Sequence, residues 1–447
     1  MSGSTLGTSH TQRRRIGARL GGGVLVAAAL TVALAAVRRD SPLPVVAGPV
    51  PQQVYVWQRQ WSPAVCSAVS QRASRFDGLV VLAAEVAWSD KQPRVARVPI
   101  NYRALAAANK HVGLAIRVGR YAGSFEAEAP AGRLLAALAE DVLSAARGEG
   151  LEVSELQIDF DAGTAQLQGY GRWVTALKAV AGQTPVTVTA LPSWMDGTGF
   201  AALADSADGY VLQVHSLARP ASPGERFVLC DVARARRWVD RAAHFGRPFR
   251  VALPTYGYRL AFDAEGRFLG LSADGSPRGW PVGVKLRRIE ADPAAMAGLL
   301  AEWTRNRPAL MTGVLWYRLP VAGERLNWPW PTLRAVSAGR VPQPKLHVRL
   351  ERSAEGLTEV CLHNTGDAPA SLNRDVKLRW VSAGEPLADA IGGYRLTRPG
   401  PGRIGMEPTE ALATQRLRPN EERTIGWLRF QQDMEVYVDD ETETPDH

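Results

Sequence analysis

Two aspartates two residues apart close an apolar run, Glu155-Leu-Gln-Ile-Asp159-Phe-Asp161-Ala-Gly163. Side chains in a strand alternate faces, so Gln157, Asp159 and Asp161 share one face while Leu156, Ile158 and Phe160 take the other. The two acids then stand roughly 6.5 to 7 Å apart at Cα. Burying such a pair costs desolvation and mutual repulsion, which raises the proton affinity of a carboxyl and suits general acid and base chemistry. The competing expectation is structural, a strand-end pair neutralised by an arginine such as Arg117. An aspartate pair can also hold a divalent metal. No EF-hand-like run accompanies this one, and Cys66, Cys230 and Cys361 have neither metal-ligand nor disulfide spacing, so no metal or other cofactor is expected.

The elements that must position the pair alternate between strand and helix. Apolar runs predict strands at Val54–Trp57, Gly78–Ala84, His111–Val118, the Asp159 segment, Pro185–Leu191, Gly209–His215, Phe249–Pro254 and Thr312–Leu319. Helical spacing or capping residues predict helices over 63–74, 101–109, 130–147, 165–181, 200–204, 231–245 and 293–305, and Tyr258 to Leu271 reads as an inserted hairpin around Asp263-Ala-Glu-Gly266. Eight such units over residues 54–338 predict an α/β fold, a closed (β/α)8 TIM barrel. Short strand-like runs between 345 and 432 predict a small all-β, immunoglobulin-like sandwich after a linker at Ser337 to Pro344. Its phrase His363-Asn-Thr-Gly-Asp-Ala-Pro-Ala370 reads as a strand-edge turn, and the acidic tail from 433 to 447 is expected to be disordered.

In a barrel of this kind the chemistry belongs at the carboxyl ends of the strands. Those ends deliver Trp57, Arg59 and Trp61; Glu85 and Trp88; Arg117; Asp159 and Asp161; Ser193 and Trp194; Gln213 and His215; Thr255, Tyr256 and Tyr258; and Trp316, Tyr317 and Arg318. Carboxylates among flat aromatic walls suit a sugar ring, whose faces stack while its hydroxyls find polar partners. The expected catalytic groups are Asp159, Asp161, Glu85 and His215, with Asp161 or Glu85 as the acid, Asp159 as the ionised base or stabiliser, and His215 sharing proton transfer. Trp57, Arg117, Trp194, Gln213, Tyr256, Tyr258 and Trp316 are the expected substrate-binding residues.

Leu253-Pro-Thr-Tyr-Gly-Tyr258 resembles the seventh-strand motif of glycoside hydrolase family 18, the chitinase-like and spore-cortex-lytic barrels, and Gly313-Val-Leu-Trp316 is similar to its eighth-strand tryptophan. That resemblance implies that Trp316 floors the subsite of the scissile sugar. Ile158-Asp-Phe-Asp161 falls where the family carries D-x-x-D-x-D-x-E. In that register Leu156 replaces the first aspartate and Gly163 the proton-donating glutamate, while Gln213-Val-His215 replaces the sixth-strand M-x-Y. The whole chain resembles the bacterial family of domain of unknown function 3142, in which the fourth-strand aspartates, the Leu-Pro-Ser-Trp194 stretch and the Gln213-Val-His215 stretch recur. The resemblance implies a glycosidase-like protein without an assigned reaction. Both an enzyme acting on a cell-wall or exopolysaccharide glycan and a non-catalytic carbohydrate-binding or envelope scaffolding protein are compatible with these residues.

Arg13, Arg14, Arg15 and Arg19 precede an 18-residue apolar run, Leu20 to Val37. Residues 1–39 therefore read as a membrane anchor that leaves the body outside the cytoplasm, facing the periplasm or extracellular side, or as a signal cleaved after Ala33-Leu34-Ala35 to secrete it. Arg14-Arg15 also resembles a twin-arginine signal. Residues 40–53, with Pro42, Pro44, Pro49 and Pro51, are expected to be an extended tether. Net charge is +9, but the arginines are scattered, which argues against a nucleic-acid face. The expected partners are a polysaccharide or oligosaccharide, the membrane through the N-terminal segment, and a protein partner through the C-terminal domain.

Overall fold

The computed structural model describes residues 43–439 except 90–91, 218–219, 221, 274–279, 354–355, 382–383 and 433. The expected anchor or signal at 1–39 and the end of the acidic tail lie outside the described residues. Among those described, no helix is long and apolar enough to cross a membrane.

Eight parallel strands among the described residues close a barrel: β1 (Gln52–Val56), β2 (Gly78–Ser89), β3 (His111–Val118), β4 (Val153–Phe160), β5 (Val186–Ala190), β6 (Gly209–Gln213), β7 (Phe249–Pro254) and β8 (Met311–Tyr317). Each pairs with its neighbours in chain order, and β8 pairs with β1 to complete the ring. The helices α1 (Pro63–Arg72), α2 (Tyr102–Ala108), α3 (Pro130–Gly148), α4 (Leu167–Ala181), α5 (Gly199–Ser206), α6 (Val232–Ala242), α7 (Pro293–Arg305) and α8 (Trp330–Ser337) each follow one strand. Their starts are set locally. Ser62, Asp231 and Asp292 cap α1, α6 and α7 by accepting from free backbone N–H groups of the first turn, and proline opens α1 and α7.

The barrel interior is layered. At the amino ends of the strands Glu155 takes two hydrogen bonds from Arg250, at 2.7 and 2.6 Å, and one from Thr187 Oγ1 at 2.7 Å, while Arg250 also donates to Gln53. Glycine at position 113 makes room for this cluster, since a Cβ there would lie 2.5 Å from Glu155 Cγ. Above it pack Tyr55, Val80, Leu82, Ala115, Val211, Ala252 and Leu315. A polar bottom layer and an apolar middle layer leave the carboxyl ends of the strands as the open side.

Several segments depart from the sequence expectations. The tether expected to run to Gln53 ends earlier. Val45–Val46 pairs antiparallel with Arg307–Pro308, Arg307 bonds the carbonyls of Gly48 and Pro49, and β1 begins at Gln52. β2 continues past Ala84 to Ser89 and turns back as Gln92–Arg97. The expected hairpin after β7 is a three-stranded antiparallel sheet, Gly257–Phe262 between Phe268–Ser272 and Lys285–Glu290.

Among the described residues the C-terminal region is a small all-β domain of two four-stranded antiparallel sheets and a two-stranded pair, Ala370–Ser371 with Arg416–Leu417. Leu346–Arg352, Leu357–Asn364, Glu422–Arg429 and Leu387–Ala390 form one; Tyr394–Gly400, Arg403–Pro408, Val376–Arg379 and Tyr437–Val438 form the other. Their inner faces share a core that includes Val360, Leu362, Leu378, Trp380, Ile404, Met406, Ile425 and Leu428. Pairing of Tyr437–Val438 with Leu378 and Arg379 carries ordered chain into the region expected as tail.

Candidate active site at the carboxyl end of the barrel

Alternation along each strand decides what reaches the barrel axis. Trp57 follows Tyr55 inward from β1, Arg117 follows Ala115 from β3, and Gln213 follows Val211 from β6. Asp159 follows Gln157 from β4, and Asp161 lies just beyond the strand's end. Together with Thr189, His215, Ser216, Ala252, Tyr256, Tyr258 and Tyr317 they line an axial cavity of about 210 Å³. It adjoins a wider vestibule of about 740 Å³, with Trp57, Arg117, Tyr256, Tyr258 and Tyr317 forming walls common to both. The vestibule is further lined by Gln58, Arg59, Leu271, Arg318 and Glu324.

Of the eleven residues expected in the site, the structure brings eight to the cavity: Asp159, Asp161, His215, Trp57, Arg117, Gln213, Tyr256 and Tyr258. Trp316, Trp194 and Glu85 are not among its lining residues. Trp316 is fully buried and bonds Gln52 Oε1 through Nε1 at 2.9 Å, because Leu315 and Tyr317 take the inward positions of β8. The ring that reaches the axis from β8 is therefore Tyr317. Trp194 is 1% exposed and is held by Nε1 donating to the Ala162 carbonyl at 3.1 Å, behind the β4 exit rather than in the cavity. Glu85 is bound by Arg59, one contact being 3.0 Å. Tyr55, Thr189, Ser216 and Ala252 belong to the cavity without having been expected there, and Tyr317, named only among the residues at the strand ends, is a lining residue too. The residue pairs Tyr55/Trp57 and Thr187/Thr189 carried a usable signal, since residues two apart share a face.

The electrostatics separate the two aspartates. The Asp159 side chain is 18% exposed, whereas Asp161 is exposed. Burial, reinforced by repulsion from Asp161 and offset by Arg117 and a hydrogen bond with Thr189, pushes the Asp159 carboxyl up to about 6. Asp159 is thus a buried carboxyl whose proton affinity is raised, whereas the sequence reading expected Asp161 or Glu85 as the acid and Asp159 as the ionised partner. His215 is buried with Nδ1 3.1 Å from Tyr256 OH, and burial lowers its pKa to about 3. It is a neutral imidazole rather than a proton donor in this setting. A chain of hydroxyls continues from it, Tyr256 OH to Tyr258 OH at 3.1 Å and Tyr258 OH to Ser216 Oγ at 2.9 Å. Ser216 holds its place in the left-handed region, φ 59°. His215 Nε2 is buried without a hydrogen-bond partner among the described residues, leaving one polar atom of the wall for a ligand. Among the described residues no cluster of His, Cys, Asp and Glu could hold a metal ion.

These features define the class, a (β/α)8 barrel with an axial site of two carboxylates, an arginine and aromatic walls, joined to a small all-β domain. Residues 115–322 match the family described as Domain of unknown function (DUF3142), and residues 347–431 match that described as Domain of unknown function (DUF8456). No curated protein matches the chain. Similar solved structures include the spore cortex-lytic enzyme SleL of Bacillus cereus, 11% identical over 66% of this chain and 75% of that one, with a TM-score of 0.46. A chitinase from Chromobacterium violaceum is 14% identical over 65% and 98% of the two chains, TM-score 0.45. Chitinase ChiA74 from Bacillus thuringiensis is 9% identical over 87% and 100%, TM-score 0.43.

Proposed function

We propose that the barrel binds a cell-wall or exopolysaccharide glycan in the axial cavity and hydrolyses it there. The observation that carries this reading is the placement of Asp159, a buried carboxyl pushed up to about 6 by desolvation, beside Asp161 in a cavity walled by Trp57, Tyr256, Tyr258 and Tyr317. A carboxyl whose proton affinity is raised in this way supplies, in its protonated form, the proton that a leaving glycosidic oxygen requires, and a second carboxyl beside it, Asp161, balances positive charge developing on the sugar ring as water attacks. The aromatic rings supply stacking faces, and Gln213, Arg117 and His215 Nε2 supply hydrogen-bonding groups for hydroxyls. Glycine at 163, where the resembled hydrolases carry their glutamate, favours a second reading, a barrel that binds glycan without turnover.

The purified protein tested on chitin oligomers, peptidoglycan and β-glucans separates the two. Turnover abolished by Asp159→Asn or Asp161→Asn establishes hydrolysis in this site, and loss or shift of the alkaline limb of the pH profile in Asp159→Glu assigns the acid role to Asp159. Binding without products, surviving both Asp159→Asn and Asp161→Asn, establishes the non-catalytic reading, and neither binding nor products removes both. We also propose that the segment before Pro44 keeps the barrel outside the cytoplasm, on the strength of Arg13 to Arg15 ahead of Leu20–Val37. Protease accessibility in intact spheroplasts tests that placement.

A further inference from the structure

The turn His363-Asn-Thr-Gly-Asp-Ala-Pro-Ala370 has no place in the axial site, yet it is where the β-domain is fastened to the barrel. The Asp367 carbonyl accepts from Thr332 Oγ1 on α8 at 2.5 Å, and its carboxylate pairs with Arg340 at 2.7 Å. Asn364, fully buried, donates through Nδ2 to the carbonyls of Ala368 and Leu417, both at 2.8 Å. Fixing Leu417 aims the next residue, Arg418, at the barrel. Its guanidinium donates to the carbonyl of Glu324 at 3.1 Å and to that of Asn327 at 2.7 Å.

Those two carbonyls belong to the loop between β8 and α8, which borders the vestibule. Glu324 Oε1 accepts from Arg318 at 2.8 Å and from Gln58 Nε2 at 3.1 Å, and Oε2 accepts from Asn327 Nδ2 at 3.0 Å. Gln58, Arg318 and Glu324 all line the vestibule. The loop is also stitched to the end of β7, with Gly257 N donating to Leu326 O at 2.6 Å and Trp328 N to Thr255 O at 2.7 Å. Buried backbone carbonyls need partners, and this loop takes two of its partners from the other domain.

We propose that Arg418 is a positioning residue for the vestibule: the β-domain acts as a fixed support that sets Glu324 and Arg318 against the ligand. What the vestibule binds rests on the glycan reading above, whereas the clamp itself does not.

Hydrogen–deuterium exchange on the full chain tests the clamp without a ligand. Arg416→Ala is the control, because Arg416 is exposed and its bonds run to Ser371, Ala413 and Gln415 in its own domain. In Arg418→Ala the amides of Gly257 and Trp328 should exchange about tenfold faster, with β1 to β6 unchanged. If that variant does not fold, Arg418→Lys, which reaches one carbonyl at a time, should give about a threefold increase at the same amides. Unchanged exchange in the folded variants, or equal acceleration in Arg416→Ala, overturns the clamp. Affinity for chitin oligomers is the second measurement. If wild type binds them, Arg418→Ala should weaken binding about fivefold and Arg418→Lys less; faster exchange with unchanged affinity overturns the positioning role. If wild type binds no glycan at all, the glycan reading fails while the exchange result still decides the clamp.

Discussion

Arg117 Nε stands 4.0 Å from Asp159 Oδ2, close enough to attract the carboxylate and too far to bond it. The arginine therefore moderates the proton affinity of Asp159 without abolishing its rise. The folded pKa, about 6, lies above the ordinary 3.8. The native state consequently binds this proton more tightly than the unfolded chain, and stability falls as pH rises between about 4 and about 6. The full difference corresponds to about 3 kcal/mol. Asp159→Asn should flatten that segment of the profile and make the protein about 2 to 3 kcal/mol more stable than wild type at pH 7. Urea unfolding at pH 4.5 and pH 7 checks it; identical pH dependence in the two proteins contradicts the assignment.

Removing the moderating charge should move the titration further. In Arg117→Gln the Asp159 carboxyl loses an attractive neighbour, so its midpoint should rise above 6, read by NMR titration of the labelled side chain. If the protein hydrolyses a glycan with Asp159 as the acid, wild-type kcat/KM should decline about tenfold per pH unit above about pH 6, and the variant should retain activity to higher pH. A variant midpoint at or below that of wild type rules out Arg117 as the moderating group.

Adjacent aromatic residues on β8 should respond to substitution in opposite ways. Trp316 is fully buried against Trp328 and bonded to Gln52, so Trp316→Ala should cost about 3 to 5 kcal/mol of stability. Tyr317 meets Tyr55, Trp57, His215 and Tyr256 edge-on or tilted at the cavity. If the barrel binds a glycan as proposed, Tyr317→Ala should weaken that binding about tenfold, a loss of about 1.4 kcal/mol. Denaturation curves and binding isotherms on both variants check the pair. A binding loss confined to Trp316→Ala would restore the tryptophan as the ligand platform.

That contrast shows how far the sequence could be read. The barrel strands were legible because several are nearly continuous apolar runs covered on both faces, as at Gly78–Ala84, and the others are rich in β-branched residues or alternate, as Val186–Ala190 and Val153–Phe160 do. Helices announced themselves through caps such as Asp231 and Asp292. The pairing partners of polar segments were not legible. Lys285–Glu290 carries three basic residues and one acid, and it is a strand only because Gly257–Phe262 pairs with it across the insertion. At the site, the acid pair and most of the aromatic wall followed from strand ends. The choice between Trp316 and Tyr317 needed the inward parity of β8, which depends on barrel geometry and is absent from a list of residue types. The roles of the two aspartates likewise depended on depth, since Asp159 and Asp161 are chemically identical and only their burial separates them.

At the opposite end of the barrel, Glu155 and Arg250 form a bidentate pair with little solvent access, their side chains 8% and 14% exposed. Breaking such a pair leaves an unpaired buried charge, so Glu155→Met alone should destabilise the fold by about 3 to 5 kcal/mol. Replacing both partners removes the stranded charge. The double variant Glu155→Met/Arg250→Met should recover more than half of the loss, although Thr187 and Gln53 then each forfeit a partner. The apolar layer that includes Val80, Leu82, Ala115, Val211 and Leu315 lies between this pair and the cavity, so neither variant should change the Asp159 midpoint while the protein is folded. Urea titrations of the single and double variants, with the NMR titration of Asp159 run on each, test both statements. A double variant less stable than the single one would show that the pair stabilises the barrel on its own account, and a shifted Asp159 midpoint would show that the bottom layer is coupled to the site.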